Sequence, residues 1–411
     1  MRAHPVAFCR RPIGTLVAAL VALVTAMPGG GAEAQPPLQL VETFPIETSL
    51  DNEDLPEAHE IWLEMIESAT TSLEFAEFYA SNAADSRLEP IVQAIEAAAE
   101  RGVRVRFLSE QRFYSVYPET LERLGRRDGI RVRRYDTSQS TGGVLHAKYF
   151  IVDGREAFVG SQNFDWRALM HIQELGLRVR IASVVAMLQH TFELDWSMTG
   201  GEAPPDAAPD ADFPVQVPSV QGTARVSPLF SPSGRLPDER LWDLPRILEL
   251  MRGAQRSIRI QLLSYRSVGR DGTYFADLET ALRSAAARGV QVQLLLSHWS
   301  KRAGTIEGLQ SLQSLPNIDV KLATIPEWSG GFIPYARVIH AKYMVVDGES
   351  AWLGTSNWER DYFYASRNVG LSVSGGRVPE QLERFFMKTW NSPYTERVDP
   401  CARYEAPRIG E

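Results

Sequence analysis

Apolar positions along the chain fall into two rhythms. Over 58–69, Ile61, Met65 and Ile66 recur at helical spacing, and over 103–108 Val, Arg, Val, Arg and Phe alternate as in a half-buried strand. Between them, 72–80 carries strand-forming Leu73, Phe75, Phe78 and Tyr79, and 88–101 predicts a helix stopped by Gly102. A further helix is expected over 117–124 and a short strand over 130–134. A mostly apolar stretch over 145–152 then predicts a strand buried on both faces, followed by a turn at Asp153-Gly154 and a strand over 156–160.

The same order returns downstream, with a helix over 242–253, a strand over 257–265, a helix over 274–288 closed by Gly289, and a strand over 290–297. Ala286-Ala287-Arg288-Gly289-Val290 echoes Ala99-Glu100-Arg101-Gly102-Val103, and Phe192 and Trp196 recur as Phe386 and Trp390, 194 residues on. Alternating strands and helices predict α/β layers, and a repeat this long is not a solenoid unit. The expected architecture is two homologous α/β domains, each a mixed sheet flanked by helices, related by a pseudo-two-fold axis. The expected boundaries are a leader over 1–34, a first domain over 35–199, a linker over 200–222 and a second domain over 223–411. The linker carries Pro204, Pro205, Pro209, Pro214 and Pro218.

Composition narrows this picture. With 44% apolar and 23% charged residues, the 411-residue chain is globular and not disordered. A formal charge of -8 argues against a sequence-independent binder of duplex DNA, which needs a basic face, but leaves room for a local cationic cleft. The N-terminus reads as a secretory signal: Arg10 and Arg11, an apolar run of 15 residues over 13–27, then Ala32-Glu33-Ala34. The alternative is a membrane anchor, for which the run is short. The expectation is export to the periplasm or beyond, a mature start at Gln35 and no transmembrane segment thereafter. Cys9 lies in the leader, so Cys401 alone remains and no intramolecular disulfide is expected.

The repeat is sharpest at Leu145-His146-Ala147-Lys148-Tyr149-Phe150-Ile151-Val152-Asp153-Gly154 and Ile339-His340-Ala341-Lys342-Tyr343-Met344-Val345-Val346-Asp347-Gly348. Each copy reads His-x-Lys-x4-Asp. Each is followed by a small-residue turn ending in Asn, Gly160-Ser161-Gln162-Asn163 and Gly354-Thr355-Ser356-Asn357. On a strand, residues i and i+2 share a face, so His146 projects with Lys148 and His340 with Lys342. If the pseudo-two-fold axis brings the copies together, the cleft holds two His, two Lys and two Asn. That set suits a phosphodiester: Lys and Asn hold the non-bridging oxygens, one His attacks phosphorus, and the other protonates the leaving oxygen. No metal or cofactor is needed. For a single isolated His the alternative is a satisfied core residue.

These motifs resemble the phospholipase D superfamily, whose hallmark is this duplicated pattern. Phe158-Val159-Gly160-Ser161-Gln162-Asn163-Phe164-Asp165-Trp166-Arg167 and Trp390-Asn391-Ser392-Pro393-Tyr394 look like its animal lysosomal and poxviral branch. The resemblance implies a metal-independent reaction through a covalent phosphohistidine, with His146 as nucleophile and His340 as general acid. It implies phosphate binding by Lys148, Lys342, Asn163 and Asn357, with Ser161 and Thr355 beside them, and a histidine-orienting carboxylate at Glu174, 28 residues past His146. The equivalent position in the second half is Asn368. Asp153 and Asp347 complete the motif, with a partly structural role at their turns. The chain lacks the disulfide cysteines of the animal branch. The implied substrate is single-stranded DNA or RNA cleaved from the 5′ end. A phospholipase D or phosphatidyl transferase acting on glycerophospholipids is the alternative, and a silent binding scaffold a second. One chain supplies both motifs, so no protein partner is required.

Overall fold

Two mixed sheets carry the repeat. The computed structural model describes residues 35–138, 141–269 and 271–410, with Met1, Arg2 and His4; the expected leader, 1–34, otherwise lies outside the described residues. Pro36–Glu411 form one body. Among the described residues, the first sheet runs in the order Leu38–Thr43, Glu174–Val179, Glu156–Gly160, Lys148–Val152, Ser72–Glu77, Arg104–Glu110 and Ile130–Tyr135. Its last three strands are parallel and the rest antiparallel. The second sheet repeats that order with Gly222–Ser231, Asn368–Ser374, Ser350–Gly354, Tyr343–Val346, Ser257–Leu262, Gln291–Ser297 and Ile318–Ala323. It adds an edge strand at each side, Val215–Ser219 and Thr395–Arg397. Val215–Ser219 falls inside the expected linker. It pairs only with Gly222–Ser231, and at an edge the missing N–H of Pro218 leaves no ladder bond unmade.

The outer face of each sheet is covered by its own helices. In the first half these are Ala58–Glu67, Glu89–Glu100 and Glu119–Gly125, packed on Phe75, Phe107 and Phe150. In the second half they are Asp243–Gly253, Ala276–Ala287 and Ile306–Gln313, packed on Ile260, Leu294 and Met344. The inner faces share one core with the helices Ala182–Gly200 and Val378–Trp390. There Tyr149, Ile151, Val159 and Leu177 join Tyr343, Val345, Leu353 and Leu371, all at most 2% exposed. Burial on both faces is why the motif strands read as continuous apolar runs. Among the described residues no helix is long and apolar enough to cross a membrane.

The halves also exchange backbone. The segment between Thr43 and Ala58 of the first half lies along the second. Ile46 O accepts from Arg337 Nη1 at 2.9 Å, Glu47 accepts from Ser329 N at 2.7 Å, and Asp54 accepts from Arg384 Nη2 at 2.6 Å.

Candidate functional site

The two motif strands start later than the alternation predicts, at Lys148 and Tyr343, so neither histidine sits on a ladder of its own sheet. Each is held instead by the other half. His146 N–H donates to Arg367 O at 2.9 Å, next to a bridge between Leu145 and Arg367. His340 N–H donates to Gln173 O at 2.8 Å, next to a bridge between Ile339 and Gln173. The side chains behind these clasps also cross. Arg367 Nη2 bonds Asp195 Oδ1 at 2.8 Å, and Gln173 Nε2 bonds Thr389 Oγ1 at 2.8 Å. Arg367 and Gln173 occupy equivalent positions of the repeat, as do Thr389 and Asp195, so one clasp is ionic and its twin neutral.

The histidine rings are paired across the halves as well. His146 Nδ1 meets Asn368 Oδ1 at 3.0 Å. Asn368 Nδ2 is turned towards Tyr362 O at 2.8 Å, Ser231 Oγ at 3.1 Å and Ser366 O at 3.2 Å, and Thr355 Oγ1 donates to its Oδ1 at 2.9 Å. The amide oxygen is therefore an acceptor, His146 Nδ1 carries the hydrogen, and Nε2 keeps its lone pair. His340 Nδ1 lies 2.8 and 2.9 Å from the two oxygens of Glu174, which accepts from Ser161 Oγ at 2.5 Å. Glu174 thus serves the histidine of the opposite motif. Equal 28-residue offsets in the two halves carry no sign of that crossing.

Lys148 Nζ donates to His146 O at 2.8 Å and Lys342 Nζ to His340 O at 2.6 Å. Asn163 and Asn357 are 7% and 2% exposed, and among the described residues the buried Oδ1 of each has no hydrogen-bond partner. Phe78 and Tyr362 flank His146, with ring centroids 5.0 and 4.9 Å away, and Lys148 Nζ sits 5.0 Å from the Phe78 ring centre.

Burial sets the electrostatics. It holds both histidines well below their usual range, helped by the charges of Lys148 and Lys342. It lowers Lys148 to about 7 against the pull of Glu77 and Glu174, and lowers Lys342 as well. It raises Glu174 to about 8 against the pull of Lys342 and the Ser161 hydrogen bond. The Glu174–His340 pair therefore holds a dissociable proton at neutral pH, which the amide of Asn368 cannot supply to His146.

Four expected site residues make their hydrogen bonds to other parts of the protein. Asp153 and Asp347 lie at the far ends of the motif strands, in turns where they adopt φ of 52° and 56°. Asp153 accepts from the backbone N–H groups of Thr70, Thr71 and Ser72, and Asp347 from those of Gln255, Arg256 and Ser257. Partial burial would raise both, but these donors hold them below the ordinary carboxylate range. They tie strand ends together; with about 3.3 Å per strand residue, Asp153 is about 16 Å of chain from Lys148. Ser161 and Thr355 are at most 1% exposed, and their hydroxyls bond Glu174 and Asn368, the partners of the two histidines. Arg367, Asp195 and Gln173 carry no motif signal. Only their place in the repeat, beside Asn368, Trp196 and Glu174, marks them.

The family model described as "Cardiolipin synthase, PLD-like domain" matches the chain twice, over residues 62–196 and 247–390. The chain is 33% identical to the "5'-3' exonuclease PLD4" of Mus musculus, over 88% of this chain and 80% of that protein. It is 30% identical to "Phospholipase D Z" of Dictyostelium discoideum, over 87% of this chain and 90% of that one. Its fold matches the crystal structure of a phosphatidylserine synthase from Haemophilus influenzae with a TM-score of 0.60 at 14% identity, covering 83% of this chain and 85% of that one.

Proposed function

The chain belongs to the phospholipase D superfamily, and from that membership we propose a phosphodiesterase that works through a covalent phosphohistidine on single-stranded nucleic acid, from its 5′ end. The observation that carries the mechanism is the unequal pairing of the two histidines, Asn368 on His146 and Glu174 on His340. His146 Nε2, unprotonated, attacks phosphorus. The P–O bond to the leaving alcohol breaks, and that oxygen takes the proton held by the Glu174–His340 pair. Lys148, Lys342 and the amides of Asn163 and Asn357 hold the non-bridging oxygens as charge builds on them. His340, now short of a proton, draws one from water. That water's oxygen attacks phosphorus, the N–P bond breaks, and a phosphomonoester leaves with His146 restored. The two lysines supply the positive charge this needs, so turnover is expected to persist in EDTA.

Aromatic side chains beside His146 support the nucleic-acid reading. Phe78, Tyr79, Phe113 and Tyr117 are half-buried and packed on one another, with Phe78–Phe113 centroids 4.1 Å apart and tilted, and Tyr79–Tyr117 centroids 5.1 Å apart and stacked. Such a surface accepts bases of any sequence. The 5′ polarity is supported by the name of the murine relative. The name of the Dictyostelium relative supports a second reading, a phospholipase D acting on glycerophospholipids. The leader-like residues 1–34 support export, to the periplasm or beyond.

The deciding test offers the purified protein a 3′-labelled single-stranded oligonucleotide with a free 5′-hydroxyl and, separately, phosphatidylglycerol vesicles, both in EDTA. Stepwise shortening of the strand, absent in His146→Ala, is the expected result. Phosphatidic acid without shortening overturns the nucleic-acid reading in favour of the lipid one.

Two further outcomes follow from the electrostatics. Replacing Glu174 by Gln leaves an amide oxygen that can still accept from His340 Nδ1–H, as Asn368 does for His146, but removes the carboxyl and the shared proton, and is expected to lower kcat by about 10²–10⁴-fold with little change in KM; an unchanged kcat would remove Glu174 from proton transfer. Lys148, at about 7 in the free protein, binds a phosphodiester only as the ammonium. Its lowered pKa means the charge is present below pH 7 and lost above it. A plot of kcat/KM against pH should therefore fall above about pH 7, approaching tenfold per unit. A flat profile to pH 9 contradicts this.

A further inference from the structure

We propose that Glu77 is a positioning residue that keeps Lys148 cationic and aligned on the His146 side of the site, a role that rests on the phosphodiester reading above. Glu77 ends the strand Ser72–Glu77 and stands directly opposite Lys148 in the antiparallel ladder. Both are 1% exposed. Among the described residues Glu77 Oε2 has no hydrogen-bond partner, and neither has Oγ of Ser109, its neighbour on the parallel strand. A buried carboxylate without donors is costly, and Lys148 is the cation that acts on it.

The repeat shows that the fold does not require this carboxylate. In the second half Gln261 pairs with Tyr343, which puts Leu262 in the corresponding place opposite Lys342. The two half-sites thus share Glu174 and differ in that Lys148 alone has a second carboxylate opposite it. Lys342 faces Glu174, which also holds His340; His146 has only an amide, and Lys148 faces Glu77. Around Lys148 the charged and titratable groups are Glu77 on its cross-strand neighbour, Glu174 two strands away, His146 on its own segment, and Lys342 and His340 of the second motif. Burial drives Glu77 up and Lys148 down, and their mutual attraction opposes both shifts. Without Glu77, Lys148 gives up its proton more readily and its side chain loses the charge that faces it across the ladder.

The test uses bis(p-nitrophenyl) phosphate, a monoanion throughout, with kcat and KM followed from pH 5 to 8 in the wild type and in Glu77→Gln. The variant is expected to match the wild type at pH 5, to show KM raised about fivefold at pH 7 and approaching tenfold at pH 8 with kcat little changed, and to have its alkaline limb moved about one unit lower. Glu77→Asp should recover most of the loss. If Glu77→Gln does not fold, Glu77→Leu, which copies Leu262, carries the same expectation. Variant and wild-type curves that coincide, or a loss equal at every pH, overturn the role of Glu77. A wild type that turns over no phosphodiester overturns the functional reading beneath it.

Discussion

His146→Ala and His340→Ala are each expected to cost about 10⁴–10⁶-fold in kcat on an oligonucleotide, because the two residues act as a unit and neither half-reaction proceeds without both. They should part company on a substrate that needs no proton. Nitrophenolate leaves unprotonated, so with bis(p-nitrophenyl) phosphate the His340→Ala protein should release one equivalent of nitrophenol and stall. Its His146 then carries nitrophenyl phosphate, and no base remains to activate water. The His146→Ala protein should give no burst. Rapid-mixing absorbance gives the stoichiometry, and intact-protein mass spectrometry gives the adduct. A burst in His146→Ala and none in His340→Ala reverses the roles. Near-normal turnover in either single variant removes the paired-histidine mechanism altogether. The assignment rests on hydrogen-bond partners: Asn368, fixed by three acceptors on its amide nitrogen, leaves His146 neutral with a free Nε2, whereas Glu174 keeps a proton beside His340.

The second large effect is on stability. Asp195→Ala leaves the guanidinium of Arg367, 3% exposed, with carbonyl partners at Ser231 and Arg235 but no counter-charge. Removing one partner of a buried pair typically costs about 3–5 kcal/mol. The urea midpoint should fall accordingly, and activity with it, since Arg367 O holds the backbone of His146. The twin clasp offers the repair. Arg367→Gln combined with Asp195→Thr copies the Gln173–Thr389 pair, and should regain most of the lost stability. A single variant within about 0.5 kcal/mol of wild type would mean that the ionic clasp contributes nothing measurable.

What was legible in the chain is what repeats. Two copies of His-x-Lys, two small-residue turns ending in Asn and two sets of strands and helices identified the architecture and pointed to the six side chains proposed for the site. Strand starts were less legible, because the backbone around His146 and His340 answers to Arg367 and Gln173 of the opposite half and not to its own periodicity. The crossing of Glu174 to His340 was invisible for a related reason. A fixed offset within each half says which positions are equivalent, not which half's strand they reach. The turn role expected in part for Asp153 and Asp347 was legible from the Asp-Gly pairs, and their side chains accept backbone N–H groups at those turns. Glu77 left no signal, because its counterpart is Leu262 and a residue without a twin has no repeat to betray it.

The crossed clasps bear on how such a chain could arise. Two identical halves meeting on a true two-fold axis would offer each histidine the same partner and each clasp the same pair, so neither histidine could specialise. Joining the halves in one polypeptide lifts that constraint, since each position can then change alone. The halves do differ at such positions: Glu174 against Asn368, Arg367 against Gln173, Asp195 against Thr389 and Glu77 against Leu262. Because each histidine's partner sits across the seam from it, a change on one side of the seam acts directly on the chemistry of the other.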